Sequence, residues 1–85
     1  MQTNIVPVAV YPGEANVLYI RSITLGPPPS YYYTLQNVDA EGVVTVLKNG
    51  NVNMTQEQWD GWSETVDDTE YQLDCISANL GLTRA

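Results

Sequence analysis

The sequence predicts an α+β domain. A four- to five-stranded antiparallel meander spans residues 1–54, and two short helices packed on it span residues 55–82. Three observations carry this. Runs of β-branched and aromatic residues alternate with Gly/Pro/Asn/Asp turn signals through the first two thirds. Two helix-start signatures then follow within thirteen residues of each other, at Thr55 and Asp67. Finally, a chain of 85 residues is one domain with a thin core, since a chain this short buries only about 60–65% of the surface its unfolded form exposes.

The first element is a short strand over residues 4–10, NIVPVAV. Pro7 lacks a ladder donor, so the strand belongs at a sheet edge or pairs on one side with a neighbouring subunit. Val6 and Val8 flank that proline and are candidate interface residues. Tyr11-Pro12-Gly13-Glu14 is a turn signal. Residues 16–25, NVLYIRSITL, form the longest strand candidate. Val17, Tyr19, Arg21, Ile23 and Leu25 fall on one face; Leu18 and Ile20 precede Ser22 and Thr24 on the other. The first half is apolar on both sides, which calls for burial between layers or at an interface.

Gly26-Pro27-Pro28-Pro29-Ser30 reads as a stiff connection. In the next strand, Tyr31, Tyr33 and Leu35 share one face, and Tyr32, Thr34 and Gln36 the other. Tyr32 is the candidate of this run for exposure or partner contact, the other reading being simple cross-strand packing. Residues 37–42, NVDAEG, form a turn. Beyond it, Asn49-Gly50 between apolar runs predicts a hairpin with a type I′ turn. That register sets Lys48 opposite Asn51, Leu47 opposite Val52 and Thr45 opposite Met54, with Val43, Leu47, Val52 and Met54 on one face.

Thr55 with Gln58 makes a capping box, with Met54 and Trp59 as its hydrophobic staple. This first helix is short because Asp60-Gly61 disfavours continuation, and Trp59 and Trp62 share a face, expected in the core. Asp67 with Glu70 repeats the box, with Val66 and Tyr71 as staple. The second helix runs from about Asp68 to Leu80 and stops at Gly81, with Leu82 placed for a Schellman cap. Leu73, Ile76 and Leu80 form one apolar stripe, while Tyr71, Cys75 and Ala78 form a second nearly opposite. One stripe packs on the sheet; the other meets a partner or the first helix. Tyr71 and Leu80 complete the candidate interface set of Tyr32, Tyr71, Leu80, Val6 and Val8.

Composition narrows the function. The net charge is −7, with no histidine and one cysteine, Cys75. Residues 55–85 carry −6 of it, against −1 for residues 1–54. That bias disfavours binding to nucleic acid phosphates. No stretch reaches the ~18 apolar residues of a membrane span, and the first residues lack the basic region of a secretion signal. A disulfide within the chain needs a second cysteine. Asp67, Asp68, Glu70 and Asp74 lack the regular loop of a calcium site. No nucleophile has a histidine base, and no phosphate-cradling glycine motif is present. The expectation is therefore a non-enzymatic protein without cofactor, metal or small-molecule substrate.

The residues GNVNMTQEQWDGW (50–62), the acidic pair Asp67-Asp68, Tyr71-Gln72-Leu73 and Leu80-Gly81-Leu82 resemble small proteins encoded among tailed-phage structural genes. The resemblance covers the C-terminal half. It implies a virion component, made in the host cytoplasm, such as a capsid cement or decoration protein or a tail- or fibre-associated one. Its partners would be other virion proteins, in many copies or as a homo-oligomer. The alternative is an acidic inhibitor that imitates nucleic acid and occupies a basic host protein.

Overall fold

The computed structural model describes residues 1–24, 28–63 and 67–85. Its element order is β1 (Gln2–Val10), β2 (Gly13–Thr24), β3 (Ser30–Val38), β4 (Val44–Asn53), α1 (Gln56–Asp60) and α2 (Asp68–Asn79). The strands form one antiparallel sheet in the order β1-β2-β3-β4, a meander with two helices after it.

Alternation sets the two faces of the sheet. Tyr31, Tyr33 and Leu35 enter the core with Leu18 and Ile20 of β2, Ile5 of β1 and Met54. Leu73, Cys75 and Ile76 of α2 close that core from one side. Among the described residues, the opposite face carries no helix. There Arg21 stacks over the Tyr32 ring at 5.5 Å, and Gln36 Nε2 donates to Thr34 Oγ1. Val17 is buried as well, so the double-sided burial expected for the first half of β2 is present.

The hairpin expected at Asn49-Gly50 does not form. Both residues lie inside β4, which runs unbroken along β3 with Tyr33 opposite Gly50 and Thr45 opposite Asn37. Two physical causes outweigh the local turn preference. Nine-residue β3 offers a full-length ladder that a hairpin at 49–50 would halve. The Tyr33 ring also fills the space over Gly50, where an added Cβ would sit 3.1 Å from it. Gly50 is thus a close-approach glycine, not a turn glycine. The chain reverses earlier, within 37–42 as expected. Gly42 takes φ 84°, and Asp39 Oδ1 accepts from the Glu41 and Val43 amides. The extra residue of β4 is absorbed where the register shifts between Lys48 and Val46, at Leu47. Leu47, Val52 and Met54 do join or abut the core, but Val43 stays exposed.

The helix ends follow their caps. Thr55 Oγ1 accepts from the Gln58 amide and Gln58 Oε1 accepts from the Thr55 amide, a complete capping box. At α2, Asp67 accepts from the Glu70 amide, while the Glu70 carboxylate goes to Arg84 at 2.6 Å. Val66, the other half of the expected staple, lies outside the described residues, as do Leu25, Gly26 and Pro27 of the proline-rich connection. The C-terminus of α2 is a Schellman motif. Gly81 has φ 72°, its amide donates to Ala78 O, and the Leu82 amide donates to Ser77 O.

Two strips of apolar surface on α2 find separate partners. Leu73 and Ile76 face the sheet. Tyr71 turns to α1, donating to the Gln58 carbonyl and stacking on Trp62 at 5.6 Å. Twelve residues of helix span ~18 Å, whereas twelve of strand span ~40 Å. The molecule is accordingly 38 Å long and 23 by 18 Å across. Helices cover the end of the sheet near Met54 and Pro29. The end with the Tyr11-Pro12 and Asp39–Val43 turns extends beyond them.

Candidate interaction site

The two edges of the sheet are finished differently. On β1 the ladder with β2 shifts register between Asn4 and Val8, around Pro7. The chain's last described residues then return along the outer side. The Val6 amide donates to Thr83 O (2.8 Å), the Ala85 amide donates to Asn4 O (3.0 Å), and Ile5 bridges Arg84. Arg84 is tied down by Asp74 and Glu70 at 2.7 and 2.6 Å, and its Nε donates to Thr3 Oγ1. Those carboxylates raise its already high pKa, so it stays a cation at any physiological pH. β1 pairs inside its own chain, and its outer side is occupied over Asn4–Val6.

On β4 no such cover exists among the described residues, apart from Asn79 Nδ2, which donates to Asn53 O at 3.0 Å. Exposed valines mark the start of the strand: Val43, just before it, is 55% exposed, and Val44 and Val46 within it are 54% and 52% exposed. Val44 and Val46 are two apart and share the helix-free face, opposite Val38 and Gln36. Tyr11, 95% exposed, tops the neighbouring β1–β2 turn. Pro12, Gly13 and Glu14 line one shallow depression together with Asn37, Thr45 and Leu47, so this turn and the start of β4 are contiguous surface.

A second feature is an aromatic cleft of about 440 Å³ between Ser22 and Pro29 on the sheet side and Trp59, Trp62, Asp68 and Gln72 on the helical side, floored by Tyr31. Its polar heads are turned on one another. Tyr31 Oη donates to Gln72 Oε1 (2.6 Å), Gln72 Nε2 to Asp68 O, and Trp62 Nε1 to Asp68 Oδ1. Burial pushes the Tyr31 phenol up to about 12, with the Cys75 thiol adding to the shift. Cys75 itself is pushed up by burial, against a lowering hydrogen bond from Tyr71, which is the environment of an unreactive thiol. Trp59 meets Trp62 edge-on at 5.9 Å and both abut the core. These contacts describe a clamp between α1, α2 and the sheet, not a set of free groups converging on a reactant. Among the described residues, no three His, Cys, Asp or Glu side chains lie close enough to hold a metal ion.

The structure separates the five residues singled out from sequence. Val6 is 49% exposed, beside the returning C-terminal residues. Val8 is half-buried and abuts the core. Tyr32 is half-buried under Arg21 on the helix-free face. Leu80, the C-cap of α2, packs against the core. Tyr71 is committed to α1, so the second stripe of α2 serves an internal contact rather than a partner. What sequence reading missed is the start of β4. In Val44-Thr45-Val46 the alternation puts both valines on the face that carries Gln36, away from the core, so they stay exposed. No family model, no curated protein sequence and no solved structure matches this chain.

Proposed function

We propose that the chain is a structural interaction protein of a phage particle, holding neighbouring capsid or tail subunits together by surface contact. The observation that carries this reading is the unequal finish of the sheet. One edge is covered over Asn4–Val6 by Thr83–Ala85, and the other is, among the described residues, open and starts with half-exposed Val44 and Val46, with Val43 just before it. Open edges are normally shielded because they pair with other chains, and a row of valines adds apolar area to the hydrogen bonds on offer. The phage context comes from the resemblance of residues 50–82 to small virion proteins. Weak contacts repeated over many copies give a shell or tail its stability without any one interface being large.

The charge-imitation alternative draws on the acidic helical half. There Arg84 sits between Glu70 and Asp74, and Asp68 is engaged by Trp62, so part of that charge is used internally. Assembly is therefore the first reading. Its test is mass spectrometry of purified particles, alongside particles made without the gene. The protein is expected in stoichiometric amounts, and particles lacking it should release their contents at lower temperature. Particles that never contain it, with unchanged stability when it is deleted, overturn the reading.

A further inference from the structure

We infer that the open edge of β4 takes the same edge of a second copy, with Gly50 on the two-fold axis and Asn49 of each chain opposite Asn51 of the other. The inference rests on the reading of β4 as the interacting edge and names its partner.

Backbone direction fixes which residues can pair. The Met54 amide donates inward to Pro29 O at 3.0 Å, on the same ladder that pairs Val52 with Tyr31 and Gly50 with Tyr33. In an antiparallel strand, inward- and outward-facing residues alternate. Asn49, Asn51 and Asn53 therefore present their N–H and C=O away from β3. The Asn53 carbonyl already accepts from Asn79, which leaves Asn49 and Asn51 as the open pair. Matching Asn49 to Asn51 of a second antiparallel copy forms two hydrogen-bonded pairs, four N–H···O bonds in all. Between them, Gly50 meets Gly50 at the close, non-hydrogen-bonded spacing, where the lack of a side chain removes any clash.

The side chains point to the same occupant. Asn49 and Asn51 are exposed, on the helix-free face, and no side-chain hydrogen bond engages either among the described residues. An amide is both donor and acceptor, so facing amides satisfy each other without a second type of residue. Charge agrees: the chain carries −7, yet β4 holds only Lys48, so copies meeting here keep their acidic halves out of the contact. Nor does β4 carry proline, the device that guards β1.

The contact is small beside the ~800 Å² per partner of a standard interface, so a dissociation constant on the order of 10–1000 µM is expected. Sedimentation equilibrium of the isolated chain tests it, independently of whether particles contain the protein. Mass should rise toward a dimer with concentration. Asn51→Pro removes one outward N–H and no bond to β3, and should stay monomeric with an unchanged circular dichroism spectrum. Asn49→Glu/Asn51→Glu, which crowds four carboxylates at the axis and leaves the ladder intact, should also stay monomeric. Oxidised mixtures of Asn49→Cys with Asn51→Cys chains should give several-fold more disulfide dimer than either chain alone. A wild-type chain monomeric up to ~1 mM, self-association undiminished in the double Glu variant, or cross-linking no greater in the mixture would each overturn the inference.

Discussion

β1 and β4 are both edge strands of one sheet, yet only one of them is finished. β1 carries Pro7 and a shifted register, and the segment Thr83–Ala85 is stitched to its outer side. β4 carries no proline and, among the described residues, no returning segment; it has a register shift at Leu47, one cation, Lys48, and the Asn79 contact at Asn53. The contrast teaches that edge protection here is not a general property of the fold. It is spent on one side, and the residues that supply it lie eighty positions away in sequence.

Substitutions should show the contrast as a graded series. Ile5, on the closed edge, is buried against the core and bridges Arg84. Ile5→Ala should cost ~2–4 kcal/mol in denaturant unfolding, the usual range for a core isoleucine reduced to alanine. On the open edge, Gly50→Val forces a side chain against the Tyr33 ring and should cost about 1–3 kcal/mol. Less disruptive is Arg84→Ala, which loses two exposed ion pairs and the contact with Thr3, at about 0.5–1 kcal/mol. Its clearer signature is local: the Val6 amide, bonded to Thr83 O, should lose hydrogen-exchange protection while the Tyr33 amide keeps it. Smallest of all is Val46→Asp, a half-exposed site, expected within about 0.5 kcal/mol of wild type in stability. That variant should still weaken particle binding. A Val46→Asp chain that unfolds at much lower denaturant would show that the valine row belongs to the core rather than to a partner.

Alkaline pH probes the layer beneath both edges. The Tyr31 phenol moves from its ordinary 10.0 up to about 12 in the fold, and Cys75 is raised as well, in both cases chiefly by burial. A raised folded-state pKa means that the unfolded chain loses its proton first. The stabilisation from Tyr31 is complete below pH 10 and is lost as pH rises from there through about 12. Phenolate absorbance should show two tyrosines titrating late, Tyr31 and Tyr71, the latter also raised by burial, with circular dichroism falling over the same interval. Tyr31→Phe removes the hydroxyl bonded to Gln72 and should remove the Tyr31 part of that late titration while the Tyr71 part stays.

Much of this fold was legible because its signals are local. Thr55 and Asp67 announce helix starts through bonds made within three residues, and Gly81 ends α2 through bonds made within five. The face assignment of Tyr31, Tyr33 and Leu35 needed nothing more than alternation. Asn49-Gly50 failed for the complementary reason. Its local preference for a turn was overruled by Tyr33, seventeen positions before Gly50, whose ring requires a bare backbone across the ladder. Tyr71 was left open between a partner and the first helix: an apolar stripe shows that something covers it, and only the geometry of α1 says which. The proposed interaction surface was harder still. It depends on Thr83–Ala85 lying along β1 while, among the described residues, only Asn79 reaches the outer side of β4, which no window of sequence contains.

That returning segment also sets a valence. A subunit with two bare sides could add to itself without limit, in the manner of a fibril; with one side already plugged, growth halts after the first addition. Clipping the plug, by deleting Thr83–Ala85, should convert a self-limiting species into one that polymerises and scatters light.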